Sequence, residues 1–225
     1  MPERTLDGLS ITIDVEGALD PDVVERFHAL YAETFAPMAT RAVARQVLHR
    51  EEFVEEMSDP RVMKYVARDS TGDVVGLTTL TRDLETVPWI SPEYFAAHYP
   101  EHAARNAVFY LGFTLVAPRH QRTHVFQSMI EQIIARVLED RGVCGWDVCA
   151  YNEEVLGFST MIGELLHSHA DCTVEEVDAQ TYSVVEMHGP PPAERQNGRA
   201  HRCTPVPPEP RTPPPASKKK QPHTE

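Results

Sequence analysis

Seven consecutive residues, Pro118-Arg119-His120-Gln121-Arg122-Thr123-His124, bring together two guanidinium groups, two imidazoles, an amide and a hydroxyl. Donors gathered in that way suit an anion. The charge around them agrees: from His102 to Ile130 there is no carboxylate, but there are Arg105, Arg119, Arg122 and three histidines. Val108–Val116 before the turn is an almost unbroken apolar run, as in a strand buried on both faces. After it, Phe126, Met129, Ile130, Ile133, Ile134, Val137 and Leu138 recur at the spacing of one buried helical face. Free N–H groups and the positive end of the helix dipole then point into the turn, which makes it a site for a phosphate-bearing ligand. The plainer alternative is a strand–turn–helix whose buried parts lack charge.

Composition bounds what else the chain can be. Residues 1–188 hold 14 basic and 31 acidic residues, and residues 189–225 hold seven and three. An acidic body argues against a nucleic-acid partner, whose phosphates need neutralising. No run of about 18 apolar residues is present, so no membrane span is expected. The beginning of the sequence lacks a basic-then-apolar leader. The four cysteines, 144, 149, 172 and 203, have no paired CxxC spacing and read as reduced thiols of a cytoplasmic protein.

Leu9–Val15 alternates apolar and polar residues and predicts a half-buried strand. Asp20-Pro21-Asp22 starts a helix that Pro37 ends. A second helical region is expected over Arg41–Met57, with Arg50, Glu51, Glu52, Glu55 and Glu56 as its solvated face. Val62–Ala67 and Val74–Leu80 read as strands joined by a turn at Asp69–Asp73. The long connection Arg82–Asn106 holds Trp89, Tyr94, Phe95 and Tyr99 and a short helix over Pro92–His98. It either walls a ligand pocket or packs its aromatics onto the sheet. Gly142 is expected to cap the central helix. A strand over Val143–Ala150 should run parallel to Val108–Val116. A helix over about Glu154–His167 and a closing hairpin, Thr173–Val177 with Thr181–Met187, follow. Beyond Gly189, 11 of the 19 prolines gather with a Lys218-Lys219-Lys220 run, the composition of a disordered tail. The expected organisation is one domain over 1–188 and a tail over 189–225.

This order of elements, with Val116-Ala117-Pro118 leading into Gln121-Arg122-Thr123-His124-Val125-Phe126, resembles the GNAT superfamily of acyl-CoA N-acyltransferases over roughly residues 9–187. The resemblance implies an α/β fold, a GNAT-type mixed central sheet flanked by helices. It implies acetyl-CoA or another acyl-CoA as co-substrate, with the pyrophosphate at Gln121, Arg122, Thr123, His124, Val125 and Phe126 and the oxyanion on backbone near Leu115 or Val116. Acetyl or a longer acyl group would pass to a small amine or amino acid. Asn152 stands where the family has its strand-five asparagine. Tyr110 and Tyr151 are the candidates for the base and acid that the reaction needs. His124 and Phe126 occupy positions where the family has glycine or alanine, and Thr160 stands where many members carry a tyrosine. On those three residues rests the alternative, a GNAT-like domain that binds or regulates without catalysis. Gly112 is a candidate strand bulge. The extended segment before the central strand is similar to that of autoinducer and N-acyl amino acid synthases, which implies acyl carrier protein as a possible donor and Tyr94, Phe95 and Tyr99 as the lining of an acyl channel.

Other chemistries find no pattern. His167, His169 and Cys172 lack a second ligand pair at metal spacing, so no metal is expected. No Gly-x-Ser-x-Gly elbow and no Walker loop is present.

Overall fold

The computed structural model describes residues 4–6, 9–121 and 123–189. Chain contacts group them into two units, Met1–Thr181 and Tyr182–Glu225. The first unit is α/β. Its sheet has six strands in sequence order: β1 (Arg4–Leu6), β2 (Leu9–Glu16), β3 (Val62–Asp69), β4 (Val74–Thr81), β5 (Val108–Val116) and β6 (Val143–Gly145). Neighbours are antiparallel from β1 to β5. The β5–β6 pair is parallel, in the register Val108 with Val143 and Tyr110 with Gly145. It is joined through a helix, as a crossover requires.

Helices cover both faces. On one face lie α1 (Pro21–Phe35) and α2 (Arg50–Ser58), whose Phe27, Tyr31, Phe53 and Met57 pack on Val66, Leu77 and Leu115. Asp20 caps α1 by accepting from the Asp22 N–H, with Pro21 at the first helical position. On the other face, α5 (Val125–Glu139) and α7 (Phe158–His169) set Val125, Met129, Ile133 and Ile162 against Tyr65, Val75, Leu80 and Phe109. The insertion forms α3 (Pro92–His98), with the bounds the sequence predicts, and α4 (Pro100–Ala104). Leu84, Val87 and Phe95 from it join Val108 and Tyr110 in a third apolar cluster. Among the described residues no helix is long and apolar enough to cross a membrane.

Four expectations are corrected. Arg41–Met57 is not one helix: a 3₁₀ turn over Ala36–Thr40 leads into an irregular segment, and α2 begins only at Arg50. Tyr31 holds that segment, accepting from the Leu48 N–H at 2.9 Å and donating to the Gln46 carbonyl at 3.4 Å. The strand expected over Val143–Ala150 stops at Gly145 and α6 (Ala150–Leu156) follows, because Asp147 is drawn out of the sheet by Tyr110 and Trp89. The helix expected from Glu154 is therefore two, divided at Gly157 in the left-handed region. With so short a β6 the sheet offers no long edge to Thr173–Val177, and neither that segment nor Thr181–Met187 forms a strand.

Gly142 is not the cap either. Arg141 takes the left-handed turn at φ 45°, after Asp140, and Arg105 donates to the Asp140 and Arg141 carbonyls. Gly142 serves close packing: a β-carbon there would lie 2.7 Å from the Phe109 ring and 2.9 Å from the Ala107 carbonyl.

Candidate active site

The site begins with an interruption in β5. Thr78 pairs with Thr114 and Leu80 with Leu111, so Thr79 alone faces both Gly112 and Phe113. That is a β-bulge, at the glycine the sequence marks. The Thr78 hydroxyl fixes it by donating to the Phe113 carbonyl at 3.1 Å. Although β5 lies between two strands, its middle is open: Gly112 is exposed and Phe113 and Thr114 are half-buried, between four buried residues before them and two after. The cause lies on the far side. β6 pairs with β5 only as far as Tyr110, so from Leu111 to Val116 the strand has β4 on one flank and, among the described residues, no strand on the other.

Two segments from distant parts of the chain meet through their side chains. Arg41, in the connection after α1, places its guanidinium 4.8 Å from the ring centroid of Tyr151 on α6, a cation–π contact. Tyr151 and Asn152 are both half-buried and belong to the first turn of α6, so Asn152 is a helical residue and not a strand end. Tyr110 is placed differently. Its ring is 3% exposed, and its hydroxyl donates to Asp147 Oδ1 at 2.7 Å, the oxygen that also accepts from the Trp89 indole at 3.1 Å. Burial first, then the Asp147 carboxylate, pushes the Tyr110 pKa far above the ordinary phenol range. The structure therefore shows Tyr110 as a tie between β5, the insertion and the chain after β6.

At its end β5 delivers Leu115 and Val116, both buried, into the polar turn. The Ala117 N–H donates to the Val75 carbonyl at 2.9 Å, and Pro118–His120 forms a 3₁₀ turn. Thr123 closes it: its hydroxyl donates to the His120 carbonyl at 2.7 Å and accepts from the Val125 N–H at 3.4 Å. Gln121 is exposed, and Arg122 lies outside the described residues. His124 is turned inward at 6% exposure, and neither ring nitrogen has a hydrogen-bond partner among the described residues. Ser128, one turn on, is buried in the same condition. Phe126 packs edge-on against Phe158 of α7, centroids 5.9 Å apart. Val125 is fully buried.

One residue of this region is misplaced by sequence reasoning. Glu56, expected on the solvated face of α2, is half-buried on the side facing the bulge, one residue before the fully buried Met57. Burial raises its pKa, partly offset by Thr79 and Lys64. The signal was present: Phe53, Glu56 and Met57 stand at i, i+3 and i+4, which puts a carboxylate inside the apolar stripe.

Two clefts lie away from the bulge. One of about 460 Å³ is lined by Arg26, Leu30 and Glu33 of α1 with Asp73, Pro118 and Arg119. The other, about 580 Å³, is walled by the insertion through Arg82, Leu84, Pro92, Ala96 and Ala103, together with Arg61, Met63 and Val108. Tyr94, Phe95 and Tyr99 do not line it. They pack around the third apolar cluster, and the Tyr99 hydroxyl donates to Glu175 at 3.1 Å.

No family model and no curated protein matches the chain. Solved structures do. An aminoglycoside acetyltransferase from an uncultured soil metagenomic sample is 15% identical, with a TM-score of 0.45 over 78% of this chain and 97% of that one. The ribosomal-protein-S18-alanine N-acetyltransferase of Escherichia coli is 15% identical, with a TM-score of 0.42 over 68% and 76%. An aminoglycoside N-acetyltransferase in complex with CoA is 12% identical, with a TM-score of 0.46 over 82% and 100%. The chain's own strand order defines an α/β protein with a mixed sheet, opened at its parallel strand pair.

Proposed function

We propose that the protein is an acyl-CoA-dependent N-acyltransferase that moves an acetyl or longer acyl group to a small amine or amino acid. The observation that carries this reading is the continuity of the open flank of β5 with the start of α5. A thioester lying along residues 111–116 would meet main-chain donors at the bulge end and the helix N-terminus at the other. Those are the needs of an acyl-CoA: hydrogen bonds for the carbonyl oxygen as it gains charge, and a positive helix end for the pyrophosphate. Gln121, Arg122, Thr123, His124, Val125 and Phe126 form the phosphate end in this reading, with the backbone of Leu115 and Val116 along the arm that joins the phosphates to the carbonyl at the bulge. When bound, the co-substrate supplies an activated acyl group, and the protein orients it and moves protons. Of the two tyrosines, Tyr110 is committed to Asp147, so Tyr151, under Arg41 and next to Asn152, is assigned the proton for the departing thiolate.

A second reading, a GNAT-like domain that binds without catalysis, is favoured by Thr160, which is exposed on α7 and offers no phenol. Thermal melts with acetyl-CoA and with longer acyl-CoAs test the binding site, because a ligand at a hundred times its Kd stabilises the folded state by about 2.7 kcal/mol. A melting temperature unmoved by every acyl-CoA rejects the proposed function. A shift without release of CoA in the presence of amines favours the second reading.

A further inference from the structure

Glu56 has no assigned role in the reaction above, yet it lies beside the bulge. A β-carbon built on Gly112 would be 3.7 Å from Glu56 Oε1, so this carboxylate and the exposed backbone of Gly112 face the same space. The carboxylates around it are spoken for: Glu52 pairs with Arg45 and Asp59 with Arg61, while Glu51 and Glu55 point to solvent. Glu56 has no ion pair among the described residues. Lys64, the cation whose field reaches Glu56, is fully buried and directs its ammonium to the carbonyls of Gly17 at 2.8 Å and Asp59 at 2.6 Å. The cation therefore tempers the field at Glu56 without occupying its oxygens.

We propose that Glu56 is the general base of the acyl transfer, accepting a proton from the acceptor's ammonium group. This rests on the acyl-CoA reading above. The ammonium gives one proton to the Glu56 carboxylate and becomes a neutral amine. Its lone pair forms a C–N bond to the thioester carbon, the C–S bond breaks, and the thiolate leaves with that electron pair. The second proton shed by the nitrogen goes to the sulfur, by way of Tyr151 in the assignment above, leaving an amide and a free thiol. Glu56 then returns its proton to solvent.

A base is most effective when its pKa lies near the working pH, and partial burial moves a carboxylate that way. The groups facing Glu56 set how far. Burial and the Asp59 carboxylate raise its pKa, while Thr79 and the Lys64 ammonium on the sheet side lower it. Tyr31 of α1, whose own pKa burial pushes up to about 12, stays neutral and adds no charge near neutral pH.

The test compares wild type with Glu56→Gln and Glu56→Asp. Acetyl-CoA binding is measured by calorimetry, and CoA release by a thiol reagent with primary amines from butylamine to spermidine and the free amino acids. Expected for Glu56→Gln is a Kd for acetyl-CoA within about twofold of wild type and a kcat at least about a hundredfold lower at pH 7. The deficit should narrow as the pH rises toward the amine's own pKa, and the acid limb set by Glu56 in the wild-type kcat/KM profile should give way to one that follows the amine's pKa. Glu56→Asp should recover part of the rate. The inference is overturned if Glu56→Gln keeps its kcat within about threefold, or if it loses acetyl-CoA binding and thermal stability together. Wild type that binds acetyl-CoA but acylates none of the amines overturns the inference and leaves the cofactor site standing. Wild type that binds no acetyl-CoA overturns the acyl-CoA reading itself.

Discussion

A β-carbon on Gly112 would sit 2.2 Å from the Thr79 hydroxyl oxygen, closer than any side chain can be tolerated, and 3.5 Å from the Thr79 β-carbon, an ordinary contact. The bulge that opens β5 is thus fitted to one atom on the neighbouring strand. Gly112→Ala should destabilise the protein by about 1–3 kcal/mol, as overpacking does. Thr79→Ala removes the offending oxygen, so the double variant should recover most of the loss. Urea denaturation of the four proteins gives the coupling, expected at about 0.5–3 kcal/mol in favour of the pair. Strictly additive losses would mean that the bulge tolerates a side chain by moving away from Thr79.

Tyr110→Phe removes one of the two donors to Asp147 Oδ1 and leaves Trp89 as the other. A hydrogen bond to a charged acceptor contributes about 1.5–3 kcal/mol, with the lower end expected here because Asp147 keeps a partner. The cost should appear in thermal stability, while the pH dependence of CoA release stays that of wild type. A selective fall in kcat with unchanged stability would return Tyr110 to the chemistry.

Lys64 makes stability depend on pH in an uncommon direction. Burial, the largest influence, pulls its pKa down from 10.5 to about 8 against the opposing pull of Glu56 and Asp59. The folded state therefore sheds this proton near pH 8, while the unfolded chain keeps it to about 10.5. Between those values the unfolded state binds more protons, so the Lys64 contribution to stability grows with pH. Tyr31 and Tyr65, both raised to about 12 chiefly by burial, act the other way, and their contribution is lost from pH 10 upward. Cys144, whose thiol burial pushes up from 9.0 to about 12, opposes the rise from pH 9, so denaturation midpoints should climb from pH 8 to about 9, level off and fall above pH 10. In Lys64→Met the rise should be gone and the fall retained.

The strands and helices that frame the site were readable because each carries its own pattern: the alternation of Ile11, Ile13 and Val15, the proline and serine at the start of α3, the stripe of Met129, Ile130, Ile133 and Ile134. What escaped was decided by partners distant in sequence. Val143–Ala150 has the composition of a strand, but its length is set by Asp147 answering two donors from elsewhere. Thr173–Val177 reads as a strand beside the turn at Asp178-Ala179 and pairs with no strand among the described residues. Arg41 over Tyr151 joins residues 110 positions apart that no local pattern links. Glu56 was the costliest miss, because a carboxylate among other charges reads as solvent-facing until Phe53 and Met57 are placed on the same side. The polar turn itself was legible as a candidate anion site. The inward rotamer of His124 was not.

That rotamer gives the last prediction. His124 has two buried ring nitrogens without partners among the described residues, at the start of a helix whose first residue is fully buried. A buried polar group left unsatisfied costs about 1–3 kcal/mol by mutational measures. Leucine has nearly the volume of histidine and no polar atom to satisfy, and a helix start tolerates it. His124→Leu should therefore stabilise the free protein by about 1 kcal/mol, which for a chain of this size raises the melting temperature by about 2–4 °C. A histidine retained at that cost is expected to serve the bound state. If acetyl-CoA engages the start of α5, the imidazole can swing toward the phosphates, and the variant should bind acetyl-CoA more weakly, by roughly tenfold for about 1.4 kcal/mol lost. Melts with and without acetyl-CoA separate the two effects, since the variant should start higher and gain less. A variant that melts lower than wild type without ligand would show that His124 is satisfied where it lies. One that melts higher and binds as tightly would remove the imidazole from the phosphate site and leave its contacts to Gln121, Arg122 and Thr123.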